Sequence, residues 1–382
     1  MRVLFLDQFG DLGGAQKCLL DLLPAIAEAG WSAHLAAPGE GVLLAQARAS
    51  GATTDKLHLV NYRSGHKPFL EGLQFLIELP RIARQIKQLV RIQQPDLVYV
   101  NGPRLLPAAA RASRRIPVLF HCHNRLQQRS ALYLVNRALR RSQATVVSSC
   151  DFACKPLLSE LGEGRLHIVE NGVSVGPEHD TRVNVKNVRI GMVGRISPEK
   201  GQMEFLKAIR QIAEALPHSQ FLIAGDALSG DRAAAKYYET VRAEAEGLPV
   251  RFLGWQDDVY GVMRGLDVII VPSIQEPGMP RVVLEAMACG LPMIAFATGG
   301  VSEAITDGET GFLISPPNGK ELAVKLLALL RHSPDRLQSA GRAARELWQE
   351  RFTLQRFQRQ MIEKMNLAAG RTPDDPPVNS AG

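Results

Sequence analysis

The 382-residue chain has no apolar run approaching the roughly 18 residues that a membrane-spanning helix needs. Its first residues, MRVLFLDQFGDLGG, hold a short apolar burst that Asp7 interrupts, without the longer apolar core and cleavage site of a signal peptide. Cysteine is scarce. The five thiols (Cys18, Cys122, Cys150, Cys154, Cys289) are odd in number and scattered, which argues against a disulfide framework and predicts a reducing, cytoplasmic setting. Cys150 and Cys154 have no second pair or nearby histidine to complete a metal site, so they read as buried thiols and no metal is expected. Also missing are zinc-finger spacing, a recognition module and a basic strand interleaved with aromatics, so nucleic acid is not an expected partner. Acidic residues are nearly missing from residues 81–141, where thirteen Lys or Arg face Asp96 alone. That stretch is +12 in a chain of net +7, leaving −5 for the rest.

Within the basic stretch, Arg81, Arg84, Lys87 and Arg91 recur at helical spacing, with Ile82, Ile86, Leu89 and Val90 on other faces. This predicts a basic amphipathic helix. For any single arginine a solvated helix face is the ordinary reading. For the block as a whole, an anionic partner such as membrane lipid or a lipid phosphate is the better one.

Length alone predicts two domains. Short runs rich in Val, Ile and Leu (RVLFL, SAHLAAP, DLVYVN, PVLFHCH, ATVVSS, LHIVEN) alternate with helical stretches, the first from about Ala15 to Ala29. Apolar runs without alternation suit parallel strands covered on both faces. The polar stretch 174–187 reads as a linker, after which the pattern restarts with VRIGMVG, QFLIAGD, VRFLG, DVIIVPS, PMIAFA and GFLIS. Two successive βα runs predict two doubly wound domains, 1–173 and 188–351. The Pro-rich tail 371–382 reads as disordered.

In such sheets ligands bind beyond the C-terminal strand ends, where helices begin. Three loops there are candidates. In DQFGDLGGAQ, Gly13 and Gly14 precede a helix and leave bare backbone N–H groups at its positive end, which suits a phosphate, although a tight turn explains the pair equally well. The spacing is not the dinucleotide fingerprint. In GMVGRISPEKG, Arg195 and Lys200 lie between Gly194 and Gly201 just past a strand, a cation pair fit for two linked phosphates but not a Walker A loop. In QEPGMPRVVLEAMACG, Glu276 stands in a strand-to-helix loop that continues through Gly278 and Met279, and Glu285 stands about one turn into the helix. Such carboxylates can accept hydroxyls of a sugar ring, or simply serve a loop and a helix end.

Taken together, these loops resemble those of the retaining GT-B glycosyltransferases, family 4, also called glycosyl transferases group 1. The resemblance runs through nearly the whole chain and is densest over 190–315. GMVGRISPEKG is similar to the family's diphosphate loop, EPGMPRVVLEAMACGLPMIAFATGG to its acidic signature and glycine-rich continuation, and VRFLGW…DDVYGVMRGLDVIIVPS to the segment between. GGAQ resembles its first loop, PVLFHCHN the strand carrying its active-site histidine, and IVENGV the motif before its linker.

The resemblance implies an α/β GT-B architecture, with two doubly wound Rossmann-like domains facing across a cleft and a C-terminal helix at about 352–368 rejoining the first. It implies a sugar transfer with retention, from a UDP- or GDP-linked sugar to a glycan or lipid-linked acceptor, as in lipopolysaccharide and other polysaccharide biosynthesis, with no cofactor beyond the donor substrate. Arg195 and Lys200 would hold the diphosphate with Gly194. Glu276, with Gly278 and Met279 beside it, would face the sugar, and Glu285 the ribose. Gly13 and Gly14 would offer backbone to the phosphates, and His123 would lie near the reacting sugar. His121 reads as structural, and Asp257–Asp258 as a helix start rather than a metal site. Two departures stand out. Gln16 replaces the family's glutamate, and eight residues instead of seven separate Glu276 from Glu285, so that either the Pro-Gly-Met-Pro loop bulges or the sugar is held differently. A nucleotide-sugar epimerase or a non-catalytic scaffold of the same fold remain alternatives. The basic block 81–141 predicts peripheral contact with the anionic inner face of a cytoplasmic membrane.

Overall fold

The structure is a computed structural model that describes residues 1–59, 69–161, 164–178, 187–228 and 231–371. Most of the segment read as a linker (179–186) and the tail beyond Arg371 lie outside the described residues. The chain divides into two compact units, the first made of Met1–Asn171 with Gln355–Gly382, the second of Gly172–Leu354.

Unit 1 runs β1 (Arg2–Asp7), α1 (Gly14–Glu28), β2 (Ser32–Pro38), α2 (Val42–Ala49), β3 (Thr53–Leu57), α3 (Phe69–Gln93), β4 (Leu97–Asn101), α4 (Leu106–Ala112), β5 (Val118–Cys122), α5 (Arg129–Ser142), β6 (Thr145–Ser148), α6 (Asp151–Cys154) and β7 (Leu166–Ile168). Its seven strands are ordered β3-β2-β1-β4-β5-β6-β7 and every pairing is parallel. The central strands β4 and β5 are buried at every position, as continuous apolar runs require when helices cover both faces. β3, TTDKL, carries one buried position and escaped the sequence reading, because an edge strand need not be apolar. The predicted basic helix is the C-terminal part of α3, with Ile82, Ile86 and Leu89 buried and Arg81, Arg84, Lys87 and Arg91 exposed.

Unit 2 runs β8 (Arg189–Val193), α7 (Gln202–Ile212), β9 (Gln220–Ala224), α8 (Arg232–Glu244), β10 (Val250–Gly254), α9 (Val259–Arg264), β11 (Val268–Val271), α10 (Arg281–Cys289), β12 (Met293–Phe296), α11 (Val301–Ala304), β13 (Phe312–Ile314), α12 (Gly319–His332) and α13 (Pro334–Arg351). Its order is β10-β9-β8-β11-β12-β13, again parallel throughout. Its core gathers Ile190, Phe205, Phe221, Ile270, Phe296 and Phe312 from strands and helices. The last helix, α14 (Leu354–Ala368), buries Phe357, Met361 and Met365, and its Gln358 donates to the Asp21 carbonyl at 2.6 Å in unit 1.

In each sheet the winding reverses once, between β1 and β4 in unit 1 and between β8 and β11 in unit 2. Loops leaving the C-terminal ends of two such neighbours part in opposite directions and open a crevice, where ligands bind in this class of fold.

Candidate active site

Unit 2 builds its crevice from three loops. The loop after β8 descends through Arg195 to a 3-10 turn at Pro198–Lys200 and into α7. The Glu199 carbonyl accepts from the amides of Ile274 (3.0 Å) and Gln275 (3.3 Å), which ties this loop to the one after β11. Thr298 Oγ1 donates to the Ser273 carbonyl (2.8 Å) and the Gly300 amide to the Gly278 carbonyl (3.2 Å), which adds the loop after β12. Glycine is required at two of these crossings. Gly201 has φ +75°, and a Cβ there would lie 1.8 Å from the Pro272 carbonyl oxygen. Gly299 has φ +55°, with the Glu276 carbonyl oxygen 1.7 Å from where a Cβ would sit.

The pinned loops bring Lys200 and Glu276 together, Nζ to Oε2, at 2.5 Å. Glu276 is buried and needs a charged partner. Arg195 Nη2 meets Glu199 Oε1 at 2.7 Å, and the Arg195 carbonyl accepts from Gln202 Nε2 at 2.9 Å. Burial pushes the Glu199 carboxyl up, but its backbone hydrogen bond and the Arg195 guanidinium outweigh burial and hold it below the usual carboxylate range. Each predicted phosphate cation therefore has a carboxylate partner, one of which, Glu199, the sequence reading passed over. An anion entering here would share or displace these partners, as charge-assisted bonds to phosphate oxygens do. Gly194 is half-buried beside Arg195, while Gly278 and Met279 are buried in the loop that carries Glu276.

Glu285 lies on α10, which Gly290 ends in the left-handed conformation at φ +68°. Its Oε1 is 3.5 Å from Arg281 Nε one turn earlier, so it is paired along its own helix. Tyr260 on α9 neighbours it. Burial pushes the Tyr260 hydroxyl up to about 12, and the nearby Glu285 charge adds to this. That hydroxyl donates to the Ser174 carbonyl at 2.7 Å, so residues just before the undescribed stretch are tied to unit 2. Asp258 caps α9 by accepting from the Gly261 amide at 2.8 Å, the helix start that its sequence suggests.

Unit 1 presents a buried polar chain at its own crevice. Asp7 ends β1 and Asn101 ends β4, and the two are register partners. Asn101 Nδ2 donates to Asp7 Oδ2 at 2.6 Å, and Asn101 Oδ1 lies 2.7 Å from His123 Nε2, just past β5. Asp7 Oδ1 also accepts from the Phe9 amide (2.8 Å) and Gln16 Nε2 (2.9 Å). Burial raises the Asp7 carboxyl to about 6, against the pull of these hydrogen bonds, and burial lowers His123 to about 3, so its ring is neutral. The departure at Gln16 thereby has a local reason: its amide donates to Asp7, where a glutamate would set a second carboxylate against a buried one. His121 stacks on His123 with centroids 3.8 Å apart and bonds the Tyr99 hydroxyl through Nδ1, inside the core. Gly13 and Gly14 are exposed at the start of α1, where the Gly13 carbonyl accepts from the Lys17 amide at 3.0 Å. The sequence reading singled out neither Asp7 nor Asn101. Their signal is positional: each is a polar residue closing an apolar strand beside the reversal of winding.

Two family models divide the chain between them. Residues 12–176 match Glycosyltransferase Family 4, and residues 187–332 match Glycosyl transferases group 1. The chain is 33% identical over 187 residues to the trehalose synthase of Pyrococcus horikoshii, covering 47% of this chain but only 44% of that one. It is 30% identical over 244 residues to the phosphatidyl-myo-inositol mannosyltransferase of Mycobacterium leprae, covering 61% of this chain and 62% of the relative. In structure it is similar to HepE of Anabaena, solved with UDP and with UDP-glucose, with a TM-score of 0.78 at 23% identity over 96% of this chain and all of that one. These likenesses do not favour the epimerase or scaffold alternatives. Two parallel-sheet units of GT-B type, each matched along its own half of the chain, assign the protein to a family: it belongs to the group 1, family 4 glycosyltransferases and is a sugar-transferring enzyme.

Proposed function

We propose that the protein transfers a sugar from a nucleotide-diphosphate sugar to a glycan or lipid-linked acceptor, with retention of anomeric configuration. The observation that carries this reading is that Lys200 and Glu276 meet across two loops locked together at the reversal point of unit 2, with Arg195 on the same loop as Lys200. The two cations hold the diphosphate and offset the charge that grows on it as the bond from the anomeric carbon to phosphate oxygen breaks. Glu276 accepts hydroxyls of the transferred sugar, and Glu285 those of the nucleoside ribose. The acceptor oxygen bonds to the anomeric carbon, and its proton passes to the departing phosphate oxygen. The charge needed is supplied by Arg195 and Lys200, so the reaction proceeds without a metal ion.

The relatives' names support the acceptor class: one is a phosphatidyl-myo-inositol mannosyltransferase, and another, from Escherichia coli, a galactosyltransferase acting on a diphosphoundecaprenol-linked sugar. HepE, bound to UDP and UDP-glucose, makes uridine nucleotides the first donors to try. The basic surface of unit 1 would hold the enzyme against an anionic membrane where a lipid-linked acceptor is presented.

The test is turnover of UDP- and GDP-sugars with EDTA present, with and without acceptor, following nucleotide-diphosphate release and the anomeric proton of the product by NMR. The expected outcome is acceptor-dependent release and a product of the donor's configuration. Release without acceptor and with an altered sugar would identify an epimerase, and an inverted product would overturn retention.

A further inference from the structure

We propose that Asn101 and Asp7 are positioning residues that lock His123 in one tautomer, with the proton on Nε2 and Nδ1 left as a lone-pair acceptor for a substrate hydroxyl. The substrate in that statement rests on the sugar-transfer reading; the tautomer does not. The orientation of Asn101 follows from its surroundings. One side of its amide lies 2.6 Å from Asp7 Oδ2 and 3.2 Å from the Ala15 carbonyl oxygen, two acceptors, so that side carries the NH2 group. The oxygen must then face His123 Nε2 at 2.7 Å, and an oxygen can only accept. Nε2 therefore donates. Because burial keeps the ring neutral, Nδ1 has no proton, and among the described residues nothing bonds it.

Asp7 sets this order. It accepts from Asn101, Gln16 and the Phe9 amide, all donors, which suits its ionised form. Among the described residues, the titratable groups linked to the ring are His121, which packs on it, Tyr99, bonded to His121, and Asp7, bonded to Asn101, with Cys122 preceding His123 in the chain. Burial keeps Tyr99 and Cys122 protonated and His121 uncharged, so Asp7 is the member of this set that changes charge in the mildly acidic range. A histidine held this way cannot donate to a sugar oxygen and is too weak a base to take a proton outright. It orients a hydroxyl by accepting from it, as a ring of fixed tautomer does.

The experiment begins with 15N-histidine-labelled, ligand-free protein. The His123 signals, assigned by their loss in His123→Gln, should show a protonated Nε2 and a pyridine-like Nδ1 at neutral pH, above the range near pH 6 where Asp7 takes up a proton. A proton on Nδ1, or rapid averaging between the nitrogens, overturns the proposal whatever the activity. In Asn101→Ala the ring should sample both tautomers, and kcat should fall about 10- to 100-fold, the usual loss when a residue orienting a reacting side chain is removed, with a smaller change in KM. Mixed tautomers with an unchanged kcat would sink the catalytic part. The exchange Asp7→Asn with Asn101→Asp moves the carboxylate next to His123. It should keep the tautomer, raise the ring's pKa and add an acid limb to the pH–rate profile, which a merely structural role would not do. If the wild type shows the expected tautomer but turns over no nucleotide sugar, the transfer reading fails and the tautomer assignment stands.

Discussion

Lys200 and Glu276 hold each other in a site that each was expected to serve separately. Lys200→Ala should cut kcat/KM about 100-fold or more, as loss of a charged transition-state contact does, and should also lower stability, because it leaves a buried carboxylate unpaired, at about 1–3 kcal/mol. Adding Glu276→Ala should restore the melting temperature but not the rate, so stability and chemistry separate in the double variant. Arg195→Ala, whose partner Glu199 is partly exposed, should lose rate to a similar extent with little loss of stability. Near-wild-type rates in both single variants would defeat the diphosphate assignment. Asp7 makes a prediction of a different kind. Its carboxyl rises from 3.8 to about 6 on folding, so the folded state binds the proton more tightly. The stability this contributes is complete below about pH 4 and is lost as pH rises through about 6, a change of about 3 kcal/mol. Urea unfolding of wild type and Asp7→Asn across pH 4–7 should show this slope in the first and not in the second.

At the scale of elements, the site depends on loops that touch backbone to backbone. Gly201 and Gly299 combine a left-handed backbone with a carbonyl oxygen where a Cβ would be. Alanine at either should cost more than the roughly 1–2 kcal/mol of the conformation alone, because the loops carrying Lys200 and Glu276 must separate. The expected fall in melting temperature is about 4 °C or more, with loss of UDP binding by calorimetry. Gly51 is the control: its φ is +86°, and a Cβ there would meet no atom within 4 Å. Gly51→Ala should show only the conformational cost and bind nucleotide normally. Equal effects at all three positions would mean that the loop crossings do not matter.

At the scale of the whole molecule, the basic block is a surface. Eleven of its thirteen Lys and Arg are exposed, while Arg104 and Arg125 are half-buried over the rings of Phe9 and Phe152. In unit 1, α3 packs on α4 and α4 on α5, so Arg81, Arg84, Lys87 and Arg91 share a helical layer with Arg111, Arg129, Arg137, Arg140 and Arg141. Among the described residues no helix is long and apolar enough to cross a membrane, so attachment through this layer would be electrostatic, at roughly 1 kcal/mol per basic side chain near the surface. The protein should co-sediment with anionic liposomes at low salt and be released by a few hundred millimolar salt. Changing Arg81, Arg84, Lys87 and Arg91 to Gln should weaken it. Indifference to anionic lipid, or equal binding to neutral vesicles, would leave a soluble acceptor as the better reading.

Much of this was legible in the linear chain. Continuous apolar runs such as LVYVN and VIIV announce buried parallel strands, because burial on both faces leaves no alternation, and GRISPEKG and the stretch from Glu276 to Glu285 announce their loops through glycine, proline and charge. Sequence also placed cations and carboxylates in successive loops, since local composition decides which residues sit at a strand end. Which of them meet was decided only by tertiary structure. Lys200 and Glu276 are 76 positions apart, and Asp7 and Asn101 94. Each pair meets because parallel strands distant in sequence lie side by side at the reversal of winding, a neighbourhood set by long-range packing. Edge strand β3 and the tautomer of His123 were illegible for the same reason: one depends on a neighbouring strand's hydrogen bonds, the other on which side of a distant asparagine faces the ring.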